Sequence, residues 1–160
     1  MAELTKAAPA APVDQEKALL RQFLDRLREA VAGKAEGVSE AQVRSAGVPS
    51  GTSLLGLVNH LACVERFYFL GRDVKSWPAT WRPSPRSAPA EVLADYREAI
   101  RQANEVIDAW TDLSAPAPRA PRRQPPPTMR WALIHMIEET GRHAGHADIL
   151  REQIDGATGD

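Results

Sequence analysis

The hydrophobic positions of this chain recur every three to four residues in four long stretches, the period of an amphipathic α-helix. In the first stretch they form one helical face: Leu19, Leu20, Phe23, Leu24, Leu27 and Val31. No segment shows the alternating pattern of a β-strand. The predicted helices cover residues 14–31, 53–70, 89–113 and 128–154. We therefore predict an all-α fold, a four-helix bundle.

Polar and glycine residues mark the ends of these predicted helices. Thr52 or Ser53 can cap the second helix and Thr128 can cap the fourth, because a side-chain oxygen can accept from a free backbone amide. Gly71 and Gly156 follow the same two helices, where glycine often adopts the left-handed conformation that ends a helix.

Two long connections rich in proline separate the later helices. Residues 75–89 contain Trp77 and Trp81 among prolines, so we expect an irregular segment whose tryptophans pack over one end of the bundle. Residues 114–127 contain six prolines and are expected to lack regular structure. Connections of this length permit crossovers. A short helical turn is expected at residues 39–44.

The length and the N-terminal composition predict one domain. The chain has 160 residues, and we expect a single domain over 14–156 after a flexible leader at 1–13. The leader is rich in alanine and proline and lacks the continuous apolar segment of a secretory signal. No apolar run approaches the roughly 18–20 residues of a membrane span.

Charge and cysteine content narrow the possible partners. The net charge of −1 predicts no bulk attraction to nucleic acid or to an anionic membrane. A local basic cluster lies between prolines and is expected to be a solvated loop: Arg119, Arg122 and Arg123. The single cysteine, Cys63, excludes an internal disulfide, favours a cytoplasmic location and is expected to pack as a small hydrophobic residue.

Three side chains of metal-ligand type interrupt the apolar faces of two predicted helices. Glu139 and His143 are four residues apart and share one face. That face carries apolar residues of the fourth helix: Ala132, Met136, Ala147, Leu150 and Ile154. His60 has a corresponding place on the second helix, beside Leu57 and Val64. Buried carboxylates and imidazoles are costly unless they are paired or bind a cation.

Two histidines and a carboxylate that converge between helices form the ligand set of an open divalent metal site. Three protein ligands leave a position for water or substrate, which is typical of a catalytic site. Zinc suits this set, with nickel, iron or manganese as alternatives. The competing interpretation is a buried ion pair between Glu139 and His143, with His60 simply hydrogen-bonded in the core.

Other polar residues of the last helix are candidates for catalysis. His135 and His146 flank Glu139, and either can point into the site. His135 and His143 are about 12 Å apart along the helix axis, so one ion cannot bind both together with Glu139. His146 is a candidate proton carrier, and Arg142 is a candidate for an anionic group of the substrate.

Two segments of the chain resemble the DinB-like superfamily, most closely its actinobacterial branch known as mini-circle protein. They are residues 135–152, HMIEETGRHAGHADILRE, and residues 53–62, SLLGLVNHLA. The resemblance extends over nearly the whole chain after the leader. It implies a four-helix bundle with long crossover loops, a divalent ion held by three side chains and, in many members, a homodimer.

Many members of this superfamily have histidine at the position of His60 and a His-x3-His pair on the last helix, where this chain has Glu139 and His143. A His, Glu, His set also resembles mycothiol-dependent maleylpyruvate isomerase, in which such a set holds zinc. The resemblance implies a metal-dependent transferase or isomerase that combines a low-molecular-weight thiol, mycothiol or a similar one, with an electrophilic substrate. In that interpretation His146 or Arg142 handles proton transfer or charge. The alternative function is a non-catalytic metal-binding module of the stress response.

Overall fold

The computed structural model describes residues 12–118 and 127–159, which form helices and connecting loops without a β-strand in these two ranges. The predicted all-α fold is confirmed. The helices in chain order are α1 (Pro12–Ala35), α2 (Glu40–Arg44), α3 (Leu54–Leu70), α4 (Trp77–Thr80), α5 (Pro89–Ala109) and α6 (Met129–Asp155).

Most helix ends follow the capping signals in the sequence. The hydroxyl groups of Ser53 and Thr128 each accept a hydrogen bond from the backbone amide three residues later, at the starts of α3 and α6. Gly71 and Gly156 end the same helices with φ of 64° and 76°, in the left-handed region that glycine adopts without strain. The short turn expected at 39–44 is α2.

Three predicted segments differ from the structure. The first helix was predicted at residues 14–31 and extends over Pro12–Ala35. Residues 75–89 were expected to be irregular, but they contain α4, which Ser76 caps and in which Pro78 occupies the first turn, where a missing amide donor costs little. The third long helix ends at Ala109 instead of residue 113, because Trp110 is extended. The leader at 1–13 and the basic cluster at 119–123 lie outside the described residues, apart from the backbone of residues 12 and 13.

The four long helices pack as two parallel pairs. Near the start of α1 and α6, Glu16 pairs with Arg130, and near their ends Lys34 pairs with Asp148. Residue numbers thus increase in the same direction along both helices. The contacts of α3 with α5 behave in the same way: Arg66 bonds Asp95, and Arg72, just beyond α3, bonds Gln102. Each pair is therefore parallel.

The two pairs run in opposite directions. His60 of α3 lies beside His143 of α6, and Tyr68, farther along α3, lies beside His135, earlier on α6. The chain thus runs up, down, down and up through α1, α3, α5 and α6. Residues 71–88 join two parallel neighbours and must return along the length of α3, so they form a crossover connection of the kind predicted.

The crossover is attached to α3 by close backbone and side-chain contacts. The Asn59 amide donates to the carbonyl of Thr80 over 2.6 Å. Beside it, the carbonyl oxygen of Trp81 lies against Gly56, where a Cβ atom would come within 2.5 Å of that oxygen. A larger residue at position 56 would displace the segment, so glycine allows the crossover to lie directly on the helix.

Two groups of buried apolar side chains form the core. One includes Leu57 and Leu61 of α3, and the other includes Leu24 of α1 and Leu133 and Met136 of α6. Within the described ranges, no helix combines the length and the apolar character needed to cross a membrane.

Candidate metal centre

Antiparallel packing of α3 on α6 brings the three predicted ligands together. Oε1 of Glu139 lies 3.0 Å from Nε2 of His143 and 3.5 Å from Nε2 of His60. One ligand atom from each residue lies within 4.8 Å of the other two. Ligand atoms of a tetrahedral zinc are about 3.3–3.5 Å apart, since each lies about 2.0–2.1 Å from the metal. The observed separations are near these values, so the three side chains are candidates to hold one ion together.

Burial and hydrogen bonding keep the carboxylate charged. His60 and His143 are each 5% exposed, whereas Glu139 is partly open to a cavity. The hydrogen bond to His143 lowers the pKa of Glu139 well below its usual range, and burial opposes this effect. The site therefore presents an anionic oxygen between two imidazoles over the ordinary pH range. This donor set suits zinc and related divalent ions.

His60 is held on its other side by the crossover. Its Nδ1 atom lies 2.8 Å from the hydroxyl oxygen of Thr80, the last residue of α4. The indole of Trp81 stacks on the imidazole, with ring centroids 3.8 Å apart and planes inclined by 13°. Ligand-type histidines are commonly oriented by such a partner on the second ring nitrogen.

His143 is also contacted at both ring nitrogens. Its Nε2 faces Glu139, and its Nδ1 lies 3.3 Å from Nδ1 of His146, one turn later on α6. His146 therefore contacts one of the candidate ligands, His143.

A cavity of about 320 Å³ opens beside the three ligands. Its other lining residues are mostly aromatic: Val64, Tyr68, Trp77, Trp81, His135 and Arg142. The cavity offers a small organic molecule an apolar wall and direct access to Glu139.

The structure places the two predicted catalytic residues differently. Arg142 lines the same cavity, and its guanidinium lies 3.2 Å from Oε2 of Glu139 and 3.4 Å from Glu138. His146 instead lines a second cavity of about 300 Å³, formed with residues 48–52 and the last turns of α6. The catalytic roles of Arg142 and His146 stay predictions.

Cys63 lies away from the three ligands. It is partly buried and lines a different cavity, together with Arg66 of α3 and Lys75 of the loop before α4. Burial raises the pKa of its thiol. These features agree with a packing role for this cysteine.

Sequence analysis did not identify Thr80 or Tyr68 as site residues. The pair Ser76 and Pro78 carries a signal for a short helix, a capping residue followed by a proline in the first turn. That signal predicts α4 but not its place beside His60, which depends on the crossover.

The chain matches the model of a family described as mycothiol-S-transferase over residues 19–156. The match includes most of α1, all of the three later long helices and the three candidate ligands. The chain belongs to the mycothiol-S-transferase family. This agrees with the resemblance to the DinB-like superfamily.

A solved structure shows the same fold. The crystal structure of a conserved protein from Enterococcus faecalis superimposes with a TM-score of 0.66 at 20% sequence identity, covering 92% of this chain and 100% of that one. No curated protein matches the chain by sequence.

Proposed function

We propose that this protein is a divalent-metal-dependent thiol S-transferase that joins mycothiol, or a similar low-molecular-weight thiol, to an electrophilic substrate. The observation that carries the proposal is the convergence of His60, Glu139 and His143 at the wall of a cavity large enough for a small molecule. Membership of the mycothiol-S-transferase family supplies the class of thiol and of reaction.

The three side chains would hold the cation through two imidazole nitrogens and one carboxylate oxygen. Zinc is the metal that we favour, and nickel, iron and manganese accept the same donors. A divalent cation at this position stabilises the thiolate form of a cosubstrate thiol at neutral pH. The protein's own contribution is to keep Glu139 ionised and the two imidazoles oriented.

The cavity would bind the electrophile next to the thiol. In the transfer, the thiol sulfur forms a carbon–sulfur bond, and the thiol proton is released to a base. In a substitution, a leaving group departs with the electron pair of its bond to carbon. In an addition, the electron pair of the attacked π bond stays on the substrate and takes up a proton, and in an isomerisation this pair later expels the thiol again. Arg142 lies at the cavity wall with a half-exposed guanidinium, where it can face the charge that develops on the acceptor. His146 can accept a proton only through His143 or from the neighbouring cavity.

Metal content is the first test of this proposal. Protein purified without a histidine tag is expected to contain about one zinc or nickel ion per chain by elemental analysis. Glu139→Gln is expected to lose the metal, and Glu138→Gln, the exposed neighbour on the same helix, is the matched control that keeps it. If wild-type protein contains no metal and takes up none at micromolar zinc or nickel, the proposal is wrong.

Turnover is the second test. Mycothiol, bacillithiol and glutathione are each mixed with an electrophile that becomes fluorescent on thioether formation, such as monochlorobimane. Turnover is expected with at least one thiol, and His60→Ala and His143→Ala are expected to lose it together with the metal. Bound metal without turnover for any of the three thiols would favour the non-catalytic module instead.

We also expect a reducing compartment, the cytoplasm, for this activity, because the cosubstrate thiol must stay reduced. A homodimer is expected from the resemblance to the DinB-like superfamily, and light scattering of the purified protein tests it.

A further inference from the structure

The hydroxyl group of Thr80 makes two contacts that together determine the direction of its hydrogen bonds. Its oxygen lies 2.6 Å from the carbonyl oxygen of Trp77 and 2.8 Å from Nδ1 of His60. A hydroxyl has a single proton, and a carbonyl can only accept. The proton of Thr80 is therefore directed to Trp77, and the hydroxyl oxygen accepts a hydrogen bond from Nδ1 of His60.

This direction determines where the proton of a neutral His60 lies. A neutral imidazole has one N–H, and here it lies on Nδ1, which leaves Nε2 with an unshared electron pair. Nε2 faces Oε1 of Glu139 at 3.5 Å, and that oxygen is also an acceptor. Two acceptor atoms that face each other without a proton between them repel each other. A cation between them would remove this repulsion.

We propose that Thr80 is a positioning residue that holds His60 in the Nδ1–H tautomer, so that Nε2 is free to bind the cation. This inference rests on the proposed function and extends it to a residue of the crossover. Thr80 touches neither the cavity substrate nor the cation, and acts through His60.

The surrounding contacts keep Thr80 at this place. Its backbone carbonyl accepts from the side chain of Asn59, the residue before His60 on α3. Trp81, the next residue after Thr80, stacks on the same imidazole, and its backbone lies against Gly56. Thr80 itself is 6% exposed, so little water can compete for its hydroxyl. Asn59 and Gly56 of α3 thus fix the C-terminal end of the short helix that orients the ligand.

The tautomer can be read in metal-free wild-type protein. Nitrogen-15 NMR of the imidazoles is recorded in the presence of a chelator over a pH series, and the tautomer is assigned from the spectra at its alkaline end. The chain has four histidines, and His60→Asn identifies the signals of His60. We expect a protonated Nδ1 and an unprotonated Nε2. A protonated Nε2 in the wild-type protein overturns the inference without the need for any variant at position 80.

Two substitutions then test the role of the hydroxyl. Thr80→Val keeps the shape of the side chain and removes the acceptor, whereas Thr80→Ser keeps the acceptor. We expect Thr80→Val to weaken zinc binding about 10- to 100-fold and to change the tautomer signals of His60. Thr80→Ser is expected to restore both. A folded Thr80→Val protein with wild-type zinc affinity and an unchanged tautomer contradicts the inference.

The measurements separate this inference from the proposed function. The NMR experiment contains no metal and no thiol, so it depends only on the hydrogen bonds of His60. A wild-type protein with the Nδ1–H tautomer that contains no metal and binds neither zinc nor nickel overturns the proposed function and supports the assigned hydrogen bonds. A wild-type protein that binds zinc but has the opposite tautomer in its metal-free form overturns the role of Thr80 alone.

Discussion

Two clusters of buried charged or polar side chains connect the helices of this bundle, and they differ in how their hydrogen bonds are completed. In the first, Arg28 of α1 donates two hydrogen bonds to Glu65 of α3, over 2.7 and 2.6 Å, and neither side chain is more than 1% exposed. Arg28 also donates to Asp25 and to Asn104 of α5. Every charge in this cluster has an opposite charge or a donor within the protein.

The second cluster, formed by His60, Glu139 and His143, is open. Glu139 is exposed to a cavity, and the acceptor nitrogen of His60 is directed at its carboxylate. The comparison teaches that burial of charge alone does not indicate a ligand site. The closed cluster joins three helices and pairs its buried charges with each other, whereas the open one has converging acceptors and a cavity beside them.

The electrostatics of the closed cluster agree with a structural role. Burial acts to lower the pKa of Arg28, but the charge of Glu65 and the hydrogen bonds to Glu65 and Asp25 outweigh it, and the pKa is raised. The guanidinium thus stays charged inside the core and holds α1 against α3.

The largest predicted effect comes from breaking the closed cluster. Glu65→Gln removes the charge that balances Arg28, and we expect a loss of about 3–5 kcal/mol in the free energy of unfolding, measured by urea denaturation. Replacing both residues, Arg28→Met with Glu65→Met, should cost much less, because no unpaired charge remains. A single variant as stable as wild type would show that the pair is not needed to hold the helices.

The next effect concerns the open cluster and its capacity for a cation. Zinc at about 100 times its dissociation constant should stabilise the wild-type protein by about 2.7 kcal/mol. Thermal unfolding of metal-free protein with and without zinc measures this increment. Glu139→Gln should abolish it, and Glu138→Gln should retain it. An equal increment in both variants would mean that zinc binds elsewhere.

A smaller effect is expected from pH in the metal-free protein. The pKa of Glu139 is lowered in the folded state, so its carboxylate contributes stability above the ordinary glutamate pKa. That contribution is lost as the pH falls through the lowered value. The stability advantage of wild type over Glu139→Gln should therefore shrink as the pH falls below about 5, and it should keep shrinking through the acid range in urea titrations. An advantage that grows toward low pH would contradict this sign.

The smallest effect tests whether the two clusters are independent. Glu65 lies five residues after His60, about 7.5 Å along α3. Among the residues that the structure describes, the two share no hydrogen-bond partner. The double variant Arg28→Met with Glu65→Met should change the zinc increment by less than about 0.5 kcal/mol. Calorimetric titration with zinc checks this value, and a larger change would show that the two clusters are coupled through α3.

Much of the helical framework was predictable, because its signals are local. Ser53, Thr128, Gly71 and Gly156 mark helix ends through hydrogen bonds and backbone angles within a few residues. The end of α5 at Ala109 was missed because the apolar period continues through Trp110 and Leu113 while the backbone becomes extended.

The sequence by itself determined that Glu139 and His143 share a face, because a four-residue separation has this result on any α-helix. It also placed His60 on a buried face. Only the tertiary structure decided that Thr80 orients His60, that Arg28 pairs with Glu65, and that His146 faces a separate cavity. These contacts join residues through a crossover or between packed helices, and hydrophobic periodicity along one element carries no information about them.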